Sequence, residues 1–194
     1  MELTAVPLEG RFVRLEPLTE ALREPLRHAI SGDAQAWSIM GANGGGGAYG
    51  DFWDTAMADM ARGDRIPFAV RRLSDAAVVG TSSLMHIRRE AKGVEIGWTF
   101  YGPDARGGAV NPESKRLLLA HAFEGGAMRV EFMVDAVNQR SQAAVTKLGA
   151  VREGVMRKHR ITWTGRVRDT VVFSIIDSEW PAVRQGLDAR IAAF

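Results

Sequence analysis

Residues 94 to 126 restrict the fold more than any other segment. Val94, Ile96, Trp98 and Phe100 alternate strictly with Glu95, Gly97, Thr99 and Tyr101. That period of two predicts a strand with the apolar set on one face and Glu95 among small or polar neighbours on the other. The strand runs into Arg106-Gly107-Gly108-Ala109-Val110-Asn111, after which Asn111 suits a cap and Pro112 the opening of a helix. The helix carries Leu118, Leu119, Ala122 and Phe123 and stops near Gly125-Gly126. Small residues ahead of a helix N-terminus let main-chain N–H groups approach an anion, and Arg106 offers a charge-assisted bond, so the segment suits a phosphate. Taken alone, a glycine pair before a helix is also an ordinary tight turn.

The rest of the chain fits around this unit. A first strand is predicted at Phe12 to Leu15 and a short helix with Pro25 near its start, carrying Leu26 and Ile30. Residues 41 to 50 contain six glycines and predict a mobile loop, either a plain linker or a flap facing a substrate. Asp51 is then a candidate N-cap for a helix bearing Phe52, Trp53, Ala56, Met57 and Met60. Residues 66–73 and 77–85 read as a hairpin turning at Ser74-Asp75, and Val130, Phe132 and Val134 as a further strand. A helix from Asn138 to Leu148 is closed by Gly149, long strands at 151–163 and 167–176 turn at Thr164-Gly165, and Ser178 opens a last helix with Trp180, Val183, Leu187 and Ile191. This order predicts one α/β (α+β) layered domain over residues 1–194, with a mixed sheet and helices on both faces.

Composition closes off several functions. The chain has no cysteine, which excludes disulfides, thiolate metal sites and a cysteine nucleophile. Its four histidines show no metal-ligand spacing. A net charge of +2 and basic residues without interleaved aromatics argue against nucleic acid. No apolar run reaches the length of a membrane span or a signal peptide, which predicts a soluble, cytoplasmic protein. Apolar residues near the C-terminal helix are compatible with a homodimer and equally with core packing.

In combination, VEIGWTFY, the 106–111 loop, ESKRLLLAHAFE and VDAVNQRSQAAVTKLGAVREGVMRKHRI resemble the GNAT acetyltransferases, over roughly residues 93 to 176. The last run is similar to the Rim-type (RimJ/RimL-like) branch, which acetylates N-termini of ribosomal proteins. The loop departs from the family's usual spelling at Ala109 and Asn111. The resemblance implies a mostly antiparallel central sheet and acetyl-CoA as co-substrate. The pantetheine arm would lie along the strand bearing Trp98 and Phe100, and the pyrophosphate on Arg106, Gly107, Gly108, Ala109, Val110 and Asn111. It further implies that Asn138 bonds the pantetheine arm and that Ser141 lies near the sulfur, as a partner of the thioester or the leaving thiolate. Without the resemblance, Asn138 reads as an N-cap and Ser141 as a residue of the first turn.

Amine acetylation requires a neutral amine, and Glu95 is the candidate base. A structural carboxylate paired with Arg or Lys is the alternative for that position. Arg152, Arg157, Lys158 and Arg160 read as a solvated basic strand face, and His159 on the same strand as a surface or packing histidine or a border of the amine site. The expected activity is therefore acetyl transfer to an amine, foremost the α-amino group of a protein or peptide. A small-molecule amine acceptor and a non-catalytic acyl-CoA-binding module are the alternatives.

Overall fold

The computed structural model describes residues 1–194. The strands are β1 (Leu8–Glu9), β2 (Val13–Pro17), β3 (Arg65–Arg72), β4 (Val78–Arg88), β5 (Gly93–Tyr101), β6 (Arg129–Asp135), β7 (Val151–Ile161) and β8 (Val167–Ile176). The helices are α1 (Arg23–Ile30), α2 (Ala34–Ser38), α3 (Tyr49–Ala61), α4 (Val110–Glu124), α5 (Gln139–Thr146) and α6 (Trp180–Ala192). One eight-stranded sheet runs in the order β1-β2-β3-β4-β5-β6-β8-β7, antiparallel at every junction except β5–β6. No helix is long and apolar enough to cross a membrane.

Two apolar layers sandwich the sheet. On one face α4, α5 and α6 pack through Leu118, Leu119, Val145 and Leu187 onto Val94, Ile96, Val130 and Phe173. On the other, α1, α2 and α3 bury Leu26, Ile30, Trp37, Phe52 and Trp53 against Ala69 and Phe100. Glu113 ties α4 to the sheet's first half. It is buried, and its carboxylate accepts the backbone N–H groups of Arg11, Phe12 and Val13 at 2.8, 2.6 and 2.8 Å. Gly10 must be a glycine there, because a Cβ would lie 2.5 Å from the Glu113 carboxyl carbon.

Several local expectations change. The strict alternation of β5 fails at Trp98, which adopts φ 47°. Thr81 and Ser83 of β4 face Phe100 and Gly97, so β5 holds one extra residue at a bulge. Beyond it the faces exchange: Trp98 and Phe100 join the α1–α3 layer while Tyr101 joins the layer of Val94 and Ile96. A second bulge, on β4, sits at His86, φ 49°.

Helix starts differ from the capping signals as well. Helix α3 begins at Tyr49, with Asp51 inside its first turn, and α4 begins at Val110, ahead of Asn111 and Pro112; neither start has a side-chain cap. The glycine segment, expected as a mobile loop, forms a 3-10 turn at Gly46–Ala48, and the Gly46 N–H donates to the Ser31 carbonyl. Glycine at 44 admits the Trp37 ring, which a Cβ would meet at 2.7 Å.

Candidate active site

The only parallel junction makes the cleft. β5 and β6 pair over Gly93–Glu95 with Arg129–Glu131 and then diverge, β5 following β4 and β6 following β8. Past Glu95 the facing edges of both strands have no strand partner, so their main-chain groups are left for a ligand bearing amides. The resulting cavity of about 350 Å³ is floored by residues of β5 and β6 and flanked by the first turns of α4 and α5. Met40, Gly41 and Ala42 border it, so the start of the glycine segment does face the cleft. The β7–β8 hairpin arches over it, and the Trp163 indole N–H near its tip donates to the Trp37 carbonyl at 3.2 Å.

Glu95, Gly97, Trp98, Phe100, Arg106, Gly107, Asn111, Asn138 and Ser141 all line this cleft. Gly108, Ala109 and Val110 do not. They line a neighbouring hollow beside Arg11, Arg72 and Asp104. Phe100 is buried and stacks on Trp37 with ring centroids 4.1 Å apart, so it forms wall rather than free contact surface. Arg106 is already engaged: Nη1 meets Asp33 Oδ2 at 2.7 Å and Nε donates to the Tyr101 carbonyl at 2.9 Å. Asp33 also accepts from Ala36 at the start of α2, and that bond together with Arg106 lowers its pKa. Arg106 therefore fastens the 106–111 loop to α2.

Asn138 caps α5, its Oδ1 accepting the Ser141 N–H at 3.0 Å. The cap uses the oxygen and leaves the Asn138 amide N–H groups for the cleft. Ser141 contributes its main chain to the cap, and its side chain joins the cleft lining.

Glu95 is only 5% exposed, and its Oε2 lies 2.8 Å from Nδ1 of His86 on the β4 bulge. Its partner is thus a histidine rather than the Arg or Lys expected of a structural carboxylate. The bond to Glu95 raises the His86 pKa against opposing burial. His86 is half-exposed, so the pair connects the buried carboxylate with bulk water. His159 bonds Thr170 Oγ1 at 3.0 Å, and Glu95 lies near enough to act on its charge and on that of Arg168. Of the basic strand residues, Arg160 turns to the cleft.

Lys115 was not foreseen. Buried in α4, it donates to Ser82 Oγ at 3.1 Å and to Thr99 Oγ1, lines the cleft and has no carboxylate partner. Burial pushes its pKa down to about 7. Neither His86 nor Lys115 carries a signal in the sequence, since a bulge on β4 and the packing angle of α4 bring them in. No group of three or more His, Asp or Glu side chains converges as a metal site.

Residues 13–151 match the acetyltransferase (GNAT) domain family. The chain is a GNAT acetyltransferase. A GCN5-related N-acetyltransferase from Brucella melitensis is 32% identical, with 97% of this chain and 86% of that one covered at a TM-score of 0.89. A probable GNAT-family acetyltransferase from Chromobacterium violaceum is 28% identical, with 93% and 91% covered at 0.85. The Mycobacterium smegmatis RimJ structure, in complex with CoA-disulfide, shares the fold at 20% identity, with 95% and 93% covered and a TM-score of 0.80. No curated protein matches the chain.

The GNAT cleft takes acetyl-CoA as co-substrate, and this one fits it: splayed strand edges accept an amide-bearing arm, and the N-terminus of α4 beside Gly107 supplies positive potential for phosphate. The enzyme is accordingly an acetyl-CoA-dependent acyltransferase acting on an amine nitrogen.

Proposed function

We infer that the acceptor is an α-amino group, that of a peptide or protein N-terminus. The observation that carries this is the buried Glu95 held by half-exposed His86 where β5 and β6 part. An α-ammonium group has a pKa of about 8, whereas a lysine side chain is near 10.4. A carboxylate relayed through a histidine delivers the first as a free amine near neutrality with little cost, and the second only against roughly 3 kcal/mol more. The resemblance of residues 93 to 176 to the Rim-type branch accords with that acceptor.

In the reaction the neutral amine attacks the thioester carbonyl, the N–C bond forms and the C–S bond breaks. Glu95 receives the amine proton and His86 passes it to water. Ser141 hydrogen-bonds the departing sulfur, while the pantetheine arm lies along β5 with Asn138 donating to it. Trp98, Gly107 and Asn111 complete the cofactor wall. Gly108, Ala109 and Val110 hold the loop from its outer side.

The test is thiol release from acetyl-CoA with peptides having a free N-terminus, N-blocked peptides containing lysine, polyamines and aminoglycosides. Turnover is expected for the free N-termini, falling about 10²-fold or more in Glu95→Gln. Equal turnover of the blocked lysine peptides, or small amines as the sole acceptors, overturns the reading.

A further inference from the structure

The roof hairpin brings two guanidiniums beside Glu95 that the transfer chemistry does not use. Arg168, on β8, is 7% exposed, yet only part of its donor set is satisfied. Nε donates to Thr170 Oγ1 at 2.9 Å and one Nη2 hydrogen to the Met133 carbonyl at 3.0 Å. Its Nη1 lies alongside Gly41, where a Cβ would stand 2.9 Å away, and both residues line the cleft. Glycine at 41 thus makes room for Nη1, whose N–H groups donate to no acceptor within the protein. Arg160, its cross-strand partner on β7, is exposed, lines the same cleft and has no carboxylate partner.

The acidic groups nearby balance this pair only in part, since one carboxylate, Asp135, is shared between Arg166 and Arg168 and Arg160 has none. Asp135 is taken by Arg166 and by the Val137 N–H, and lies 3.8 Å from Arg168 Nε. Glu95 is bound to His86 and acts on Arg168 through space. The cleft end therefore presents a carboxylate suited to an ammonium group and, next to it, two cations suited to an anion. A buried guanidinium with free N–H groups is a bidentate carboxylate receptor.

We propose that Arg160 and Arg168 form an anion subsite, and that the preferred acceptor is a peptide whose first or second residue is Asp or Glu. This rests on the α-amino reading above and adds the chemistry of the neighbouring side chain. The acceptor enters with its amine over Glu95 and its carboxylate on Arg168, with Arg160 at the mouth. Gly41 sets the room available.

The experiment compares kcat/KM for peptide amides beginning Glu-Ala, Ala-Glu, Gln-Ala, Ala-Gln and Lys-Ala, with free glutamate as the other source of a carboxylate close to an amine. In the wild type the acidic peptides are expected to exceed their amide counterparts about ten-fold or more, as a charge-assisted contact implies. Arg160→Gln brings that ratio toward one, and Arg160→Glu turns the preference to the lysine peptide. Arg168 is buried, so its variant is read only if its thermal unfolding matches the wild type. Equal rates for Glu and Gln peptides, a ratio that survives Arg160→Gln, or a preference confined to free glutamate would each overturn the proposal.

A readout independent of catalysis separates this from the broader reading. Calorimetry with CoA present compares N-acetyl-Glu-Ala amide with N-acetyl-Gln-Ala amide. About ten-fold tighter binding of the first, lost in Arg160→Gln, supports the subsite even if no peptide is acetylated, in which case only the catalytic reading fails. Equal affinity, or no binding of either, rejects the subsite.

Discussion

His86 has a raised pKa because Glu95 accepts from its Nδ1. Its effects on stability and on rate have opposite signs. The stabilising charge pair is complete below the unfolded histidine pKa of about 6.5 and is lost as pH rises through the higher folded value. In the proposed reaction, proton acceptance from the amine begins as that same proton leaves. In wild type kcat/KM is therefore expected to climb through the raised histidine pKa, and His86→Gln, which still donates to Glu95, should lose that limb and about ten-fold in rate. Identical pH profiles with one peptide acceptor would remove His86 from the proton path. Lys115 titrates in the other direction. Its folded pKa of about 7 lies below the unfolded 10.5, so between those values the unfolded chain holds the extra proton and stability rises with pH, by at most about 1.4 kcal/mol per unit. Lys115→Met lacks this slope. Its stability relative to wild type should be better at pH near 7 than near 10, measured by urea unfolding at both, and an unchanged difference would contradict the assignment. Neither residue was legible in the sequence. The bond between His86 and Glu95 exists because one extra residue on β4 turns the histidine across the strand.

At the scale of elements, α5 shows how one side chain serves two ends. Asn138 caps the helix with its oxygen, and its amide N–H groups are left for the cleft it lines, where the proposed reaction gives them to the cofactor. Asn138→Ser preserves a good cap, so unfolding stability should stay within a few tenths of a kcal/mol, whereas acetyl-CoA affinity should fall about ten-fold. If calorimetry shows unchanged affinity, Asn138 is a cap alone. This helix and its closing Gly149, φ 95°, were readable because capping chemistry is local. The start of α3 was not, since Tyr49 begins the helix through packing on Phe52 and Trp53 with no side chain bonding its first amides. On β5 the apolar pattern was correct and its face was not. Trp98 lies over the buried Arg65 guanidinium at 4.1 Å and against Phe52 at 5.3 Å, contacts that reward a turned strand with a second aromatic layer.

For the whole molecule, the sheet divides at β5–β6 and the β7–β8 hairpin covers the division. The tip bond from Trp163 to Trp37 and the approach of Arg168 to Gly41 join roof to wall. Trp163→Ala removes that bond and half-exposed aromatic surface, so global stability should fall by no more than about 1 to 2 kcal/mol. Hydrogen exchange should speed up at the hairpin tip, and KM should rise several-fold for the acceptor but little for acetyl-CoA, which the proposed reaction places along the floor. Equal effects on both substrates would mean that the hairpin does not roof the acceptor end.

Most of the element order, the helix that follows the 106–111 loop and the Asn138 cap of α5 follow from sequence alone, because periodicity, capping and glycine placement act within a few residues. Glu95, Asn138 and Ser141 were candidates on that basis together with the family resemblance, and the fold brings all three to one cleft. The sequence could not reveal the partner of Glu95, the engagement of Arg106 by Asp33, the burial of Lys115, or the closing of Arg160 and Arg168 over the cleft. These depend on the strand bulges, on how α2 and α4 pack and on the β7–β8 hairpin, which bring together residues far apart in the chain.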